Sequence, residues 1–379
     1  MKIGIMTQPL YTNYGGIIQC YALQTTLRRM GHETVVLQRE FNRKYSLKGA
    51  CIYYAKHFAK LMLGRKSSWH YCVSQKKRDF IAQNTYKFIQ ENIITSKHCY
   101  STEELRQEVE NQNFDTIIVG SDQVWRPCYS PCQTNYFLDF LKDNSKIKRI
   151  SYAASFGTDN WEFSDELTKV CGGLLRKFNA VSVREKSAIS LCKEHFDVDA
   201  THVLDPTLLL DKDSYLKLIN SSENKTKLLF SYVLDRNNEK NVIVENIARQ
   251  TCLKTFEVMP ELPDEIFNLY GDIDKCIYPP LEKWLAAFEE ADMVITDSFH
   301  GTVFSIIFNK PFWVIANEGR GTARFKSLLS LFNLSNRLIN KFSIDEINLN
   351  LPIDWCSVNN IKRNLQEESL RFIIKSISV

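Results

Sequence analysis

The sequence predicts an α/β protein made of two Rossmann-like, doubly wound domains that face each other across a cleft. Three observations predict it. Short apolar, β-branched runs alternate with helical-period segments along the 379 residues. These runs repeatedly end in polar, small-residue turns, where open parallel sheets gather their ligands. The alternation restarts at residue 227, after a polar stretch that serves as a linker.

The elements follow in order. Residues 2–7 (KIGIMT) read as a strand, and 8–16 as a loop rich in turn residues. Residues 17–30 form an amphipathic helix closed by Gly31, and 33–38 (ETVVLQ) a second strand, which completes a βαβ opening. The glycines do not make the G-x-G-x-x-G dinucleotide fingerprint. Helices are predicted over 80–92 and 102–111, and strands over 114–119, 149–154, 180–183 and 201–204. Arg184 and Glu185 follow a strand and open a helix running to Cys192. The second series runs strand 227–234, helix 240–252, strand 254–258, helix 281–291, strand 293–296, helix 302–308 and strand 312–315. We therefore assign 1–210 to an N-terminal domain and 226–345 to a C-terminal one. Residues 346–379 form a tail whose amphipathic helix, 359–377, packs back on the first domain.

Composition narrows the class. Hydrophobic content of 44% and charged content of 24% describe a globular chain. No apolar run reaches the roughly 20 residues of a membrane span, and the amino terminus lacks a secretory signal's apolar core and cleavage site. A cytoplasmic location is expected, with the eleven scattered cysteines reduced. Cys128 and Cys132 are the only close pair, so no structural zinc is expected, and no cofactor or metal.

The net charge of +4 hides an asymmetry. Residues 41–78 contain no Asp or Glu and ten Lys or Arg, which set against the whole chain's +4 leaves the remainder near −6. Tyr45, Tyr53, Tyr54, Phe58, Trp69 and Tyr71 are interleaved, and Cys51, Ile52, Ala55, Ala59 and Met62 recur at helical spacing. Such a segment suits either an anionic membrane surface or a core-packed helix with a solvated rim. No recognition motif accompanies the charge, so nucleic acid is not an expected partner.

The richest chemistry lies at 293–315, a strand, turn, helix and strand. Its turn gathers Asp297, Ser298, His300, Gly301 and Thr302 where a strand's carboxyl end meets a helix's amino end. Asp297 or Ser298 can cap that helix, but a plain cap does not need His300. Asn13, Ser121, Asp122, Ser155 and Arg184 occupy equivalent turns, so with His300 they are expected to point toward one cleft.

These residues sit in motifs that resemble the polysaccharide pyruvyl transferase family. The matching pieces are Asn13-Tyr14-Gly15-Gly16 followed by Gln19 and Tyr21-Ala22-Leu23-Gln24, then VGSDQVW (119–125), SYAASFG (151–157), VREKS (183–187), VLDPT (203–207) and TDSFHG (296–301). They occur in the family's order and span 13–315; residues 41–78 match none of them. The resemblance implies an architecture similar to the type B glycosyltransferases. It also implies transfer of a pyruvyl group from phosphoenolpyruvate to a sugar of a surface polysaccharide, exopolysaccharide or capsule, as a cyclic ketal. The acceptor it implies is a lipid-linked repeat unit at the inner membrane face, where 41–78 would make peripheral contact.

Such a donor carries a carboxylate and a phosphate, which call for fixed cations and helix-terminal N–H groups. Arg184 is the first candidate, followed by Arg320 and Arg324 in the glycine-flanked loop after 312–315. His300 is the candidate general acid or phosphate contact; Asp122 or Asp297 would act as base or orient it. Asn13, Gly15, Ser121, Ser155, Ser298 and Gly301 are candidate ligand hydrogen-bonders, and Tyr14 and Trp125 either stack on a sugar or join the core. Two rivals stand: a nucleotide-sugar glycosyltransferase of the same architecture, and a non-catalytic module binding polysaccharide or membrane through 41–78.

Overall fold

Strand β1 (Lys2–Met6) and the strands β2 (Glu33–Arg39), β3 (Thr95–Cys99), β4 (Thr116–Val119), β5 (Lys148–Ala154), β6 (Ala180–Val183) and β7 (Thr201–His202) build a seven-stranded sheet in the order β3-β2-β1-β4-β5-β6-β7. Strands β8 (Leu228–Tyr232), β9 (Lys254–Phe256), β10 (Met293–Thr296), β11 (Phe312–Ile315) and β12 (Leu338–Ile339) build a second sheet in the order β12-β11-β10-β8-β9. Every pairing is parallel. The computed structural model describes residues 1–42, 47–62, 73–219, 227–317, 322–339, 348–349 and 351–378.

The sequence specifies this arrangement through strands that are apolar on both faces. Residues 116–119 and 312–315 are buried throughout because helices cover each side of the sheet. Each sheet reverses its winding once, between β1 and β4 and between β8 and β10. The turns after those four strands therefore splay apart and leave a crevice at the carboxyl edge.

The two crevices face each other, and an apolar seam joins the domains. Tyr14 packs against Trp284, centroids 5.7 Å apart, and its hydroxyl donates to Pro279 O at 2.6 Å. Asn84 Nδ2 donates to Tyr278 O at 2.8 Å, and Tyr215 meets Phe304 edge-on. The helix Trp355–Ser378 lies against the first domain: Ser369 Oγ accepts from Leu204 N at 3.0 Å, and Lys148 Nζ donates to Ile377 O at 2.6 Å.

Several element boundaries differ from the sequence expectation. The first helix begins at Tyr14, not at 17, so Gly15 and Gly16 lie in its first turn. The helix after β10 starts at Phe299, which places His300 inside it. The helix after β6 starts at Ser187, leaving Arg184 in the connection before it. Strands β3 and β12 were not expected; both are sheet edges with little apolar pattern to announce them.

Candidate active site

The Gly120 turn sets up one half of the site. Gly120 has φ +131°, and a Cβ there would lie 2.0 Å from Tyr152 O. This close approach of β4 to β5 fixes the following residues. Ser121 is fully buried: its N–H donates to Gln19 Oε1 at 3.1 Å, and its hydroxyl lies 3.0 Å from Ala153 O and 3.3 Å from Asp205 Oδ2. Asp122 turns outward to a cavity, accepting from Gln123 N at 2.8 Å and Asn13 Nδ2 at 3.4 Å.

Asp205 is the junction of the site. Its Oδ1 accepts from Thr207 N at 3.0 Å and Thr207 Oγ1 at 2.7 Å, in the turn that opens Pro206–Leu209. Its Oδ2 accepts from Arg184 Nη1 at 3.0 Å and stands 3.6 Å from His300 Nε2. Burial alone would raise the Asp205 carboxyl, but His300, Arg184 and Thr207 outweigh it and hold it well below the usual range. Asp205 thus stays ionised and ties a first-domain guanidinium to a second-domain imidazole.

Arg184 is enclosed by carboxylates. Glu185 Oε1 lies 3.3 Å from its Nε and Asp122 Oδ1 3.8 Å from its Nη2. Burial opposes its charge, yet Glu185, Asp205 and Asp122 together raise its pKa above the ordinary value. Ser155 holds Glu185 through a short hydrogen bond to Oε1 and accepts from Gly157 N at 3.0 Å. Arg324 arrives from the second domain. The guanidinium carbons of Arg184 and Arg324 stand 4.5 and 5.9 Å from the centre of the Phe299 ring. Desolvation, with the neighbouring Arg184 charge, pushes the Arg324 pKa down to about 10.

Arg184 Nη2 and His300 Nε2 are buried and held only by long contacts, 3.8 Å to Asp122 Oδ1 and 3.6 Å to Asp205 Oδ2. Contacts this long leave both groups able to turn toward the oxygens of a small anion. A cavity of about 1190 Å³ reaches this cluster through Asn13 and Asp122; Gln123 and Asp235 also line it, while Arg184, Arg324 and His300 do not. Glu40, Asp79, Arg78 and His98 add charge to its wall, and Tyr11, Tyr86, Tyr100 and Tyr129 add aromatic rings.

Other candidates take different places. Asp297 is fully buried and braces the turn after β8, accepting from Leu234 N (2.6 Å), Asp235 N (3.1 Å), Lys240 Nζ (2.6 Å) and Asn317 Nδ2 (3.0 Å). None of its bonds reaches His300, so the carboxylate that contacts the imidazole is Asp205, not Asp297 or Asp122. Trp125 does not face a sugar: it is fully buried, stacks on Phe137 at 5.3 Å and donates from Nε1 to Tyr136 O. Tyr14 likewise belongs to the domain seam. Ser298 caps its helix by accepting from Gly301 N at 3.4 Å, and Gly301 packs against Thr296. Arg320 lies outside the described residues. Asp205 and Glu185 were missing from the candidates, although both stand in the VLDPT and VREKS motifs. Among the described residues, no group of three or more His, Cys, Asp or Glu could hold a metal ion.

A family model, polysaccharide pyruvyl transferase, matches residues 13–319. The chain belongs to the polysaccharide pyruvyl transferase family. It is accordingly a transferase of polysaccharide pyruvylation. No curated protein matches by sequence. Solved structures of similar fold include Arabidopsis thaliana UGT89C1 complexed with UDP-L-rhamnose (9% identity, TM-score 0.53, 100% of this chain and 99% of that one). The N-terminal domain of Candida albicans trehalose-6-phosphate phosphatase is similar too (10%, TM-score 0.53, 100% and 96%). So is a UDP co-structure of S. aureus MnaA (13%, TM-score 0.50, 91% and 86%). At these identities the likeness is one of fold, that of the type B glycosyltransferases and epimerases.

Proposed function

We propose that this pyruvyl transferase takes phosphoenolpyruvate as donor and forms a cyclic ketal on two hydroxyls of one sugar in a surface-polysaccharide repeat unit. The observation that carries this reading is the enclosed pair Arg184 and Arg324, one from each domain, beside His300, whose Nε2 is held only by a 3.6 Å contact to Asp205. A carboxylate and a phosphate on three carbons match two guanidinium groups and an imidazole at this spacing.

In this mechanism Arg184 and Arg324 hold the donor's anionic groups in a water-poor seam. His300 delivers a proton from Nε2, either to the donor methylene or to the departing phosphate. The ionised Asp205 balances the charge that the imidazole carries when protonated. Protonation of the methylene places positive character on the adjacent carbon, and a sugar hydroxyl adds there, losing its proton. Asp122, which lines the cavity 3.4 Å from Asn13 Nδ2, is the base for that proton. Loss of inorganic phosphate regenerates the electrophilic carbon, and the second hydroxyl closes the ketal, its proton leaving with the phosphate. One donor and one diol thus yield one ketal and one phosphate.

The cavity also speaks against a nucleotide-sugar donor. Glu40, Asp79, Asp122 and Asp235 outnumber Arg78 and His98 in its wall, so a diphosphate would meet more carboxylates than cations there. A neutral sugar stacked on tyrosines and hydrogen-bonded to carboxylates fits better.

The test is incubation with phosphoenolpyruvate and a panel of synthetic and lipid-linked sugars, following phosphate release and acceptor mass together. A gain equal to pyruvate less one water supports the proposal. Turnover of a nucleotide sugar with no reaction of phosphoenolpyruvate overturns it.

A further inference from the structure

The helix Leu47–Met62 has three longitudinal sectors. Ala50 and His57, seven residues apart, are buried and anchor it to the protein. A second sector, about 120° round the helix at 3.6 residues per turn, is apolar and exposed: Cys51, Ala55, Phe58 and Met62 follow one another at spacings of four, three and four, flanked by Ile52, Tyr54 and Ala59. Phe58 is 62% exposed and Met62 75%. The exposed Lys56 and Lys60 occupy the remaining side of the helix. Among the described residues nothing covers this stripe, and an exposed apolar patch of this kind is a candidate contact surface.

We propose that this face lies on an anionic lipid bilayer, with Phe58 and Met62 among the acyl chains and the lysines among the headgroups. Charge selects this occupant. The helix carries no acidic residue, and residues 41–78 supply ten cations in a chain whose remainder is near −6. An exposed apolar stripe on a helix whose only charged side chains are lysines matches an anionic membrane interface, where long lysine stems reach headgroup charge while the stripe meets hydrocarbon. The helix also sits at a meaningful place along the chain. Phe41 lines the large cavity before it and Gln75, Arg78 and Asp79 line it afterwards. A helix seated on lipid would hold that cavity at the surface from which a lipid-linked sugar projects.

The test uses the full chain and sedimentation with vesicles, without donor or acceptor, so its outcome is independent of the pyruvyl-transfer reading. Vesicles of phosphatidylcholine with one third phosphatidylglycerol are compared with phosphatidylcholine alone. The protein should bind the anionic vesicles at least tenfold more tightly. Phe58→Ser with Met62→Ser should abolish binding to both. Lys56→Gln and Lys60→Gln should each weaken binding to anionic vesicles about fivefold. Thermal melting and turnover of a soluble acceptor should match the parent in all variants. Absence of binding to anionic vesicles overturns the proposal. So does a concentration-dependent dimer, seen by sedimentation velocity, that the Phe58 and Met62 changes abolish while vesicle binding persists.

Discussion

His300 of the second domain rests on Gly15 of the first: a Cβ built at Gly15 would lie 2.1 Å from the imidazole Nδ1. Gly15 sits in the first turn of the helix Tyr14–Arg29, where alanine would ordinarily favour the helix by up to about 1 kcal/mol. Here the missing side chain makes room for a ring from the other domain. Gly15→Ala should therefore leave the melting temperature within a few degrees while cutting kcat by about a hundredfold. Steady-state kinetics beside thermal melting separate the two effects, and full activity would show that the ring's position is immaterial.

Asp205→Asn keeps the shape of the side chain and removes the charge that Arg184 and His300 share. Breaking such a buried pair costs about 3 kcal/mol. The folded carboxyl is held low, so its contribution is present above the ordinary value of about 3.9 and fades as pH falls toward the folded one. Denaturant titrations should show the variant destabilised near neutrality, with the deficit shrinking below about pH 4. A double-mutant cycle with His300→Ala should be strongly non-additive in kcat.

Arg324 is a cation whose charge is opposed by burial and by Arg184, so a bound anion should stabilise the fold. Phosphate or phosphoenolpyruvate at a hundredfold excess over Kd should add about 2.7 kcal/mol. Arg324→Gln and Arg184→Gln should each erase that thermal shift. An equal shift in the variants would place the anion elsewhere.

These outcomes bear on what the sequence reveals. Parallel strands buried on both faces must be apolar throughout, so β1, β4, β10 and β11 are legible from composition alone. Polar residues after those strands are legible as candidates, but their tasks are not. Asp297 and Asp205 both follow β-strand segments, and only packing decides that Lys240 and two backbone N–H groups claim the first while Arg184 and His300 meet at the second. The same holds for Trp125, whose neighbour Phe137 arrives from a short helical turn that no periodicity announces.

Trp125→Ala should act on stability and not on substrate affinity. Its indole fills a cluster with Phe137 and Phe156, so truncation should cost about 3–5 kcal/mol. The residual folded enzyme, assayed well below its melting temperature, should retain its KM for both substrates.

His98 and Glu40 offer a titratable check on the cavity wall. Nδ1 lies 3.7 Å from Glu40 Oε1, and that carboxylate raises the imidazole pKa above 6.5 against partial desolvation. The raised value means the pair is intact below the ordinary pKa and lost as pH climbs through the folded one. NMR titration should place the His98 midpoint above that of a free histidine, and Glu40→Gln should bring it down.

The closing helix Trp355–Ser378 returns to the first domain, where Gln366 Nε2 donates to Leu209 O and Ser369 meets Leu204. The second sheet is consequently an insertion held by two covalent straps, one leaving after residue 210 and one coming back before 355. Drawing the two domains apart would therefore lift His300 off Gly15 while both connections stay closed.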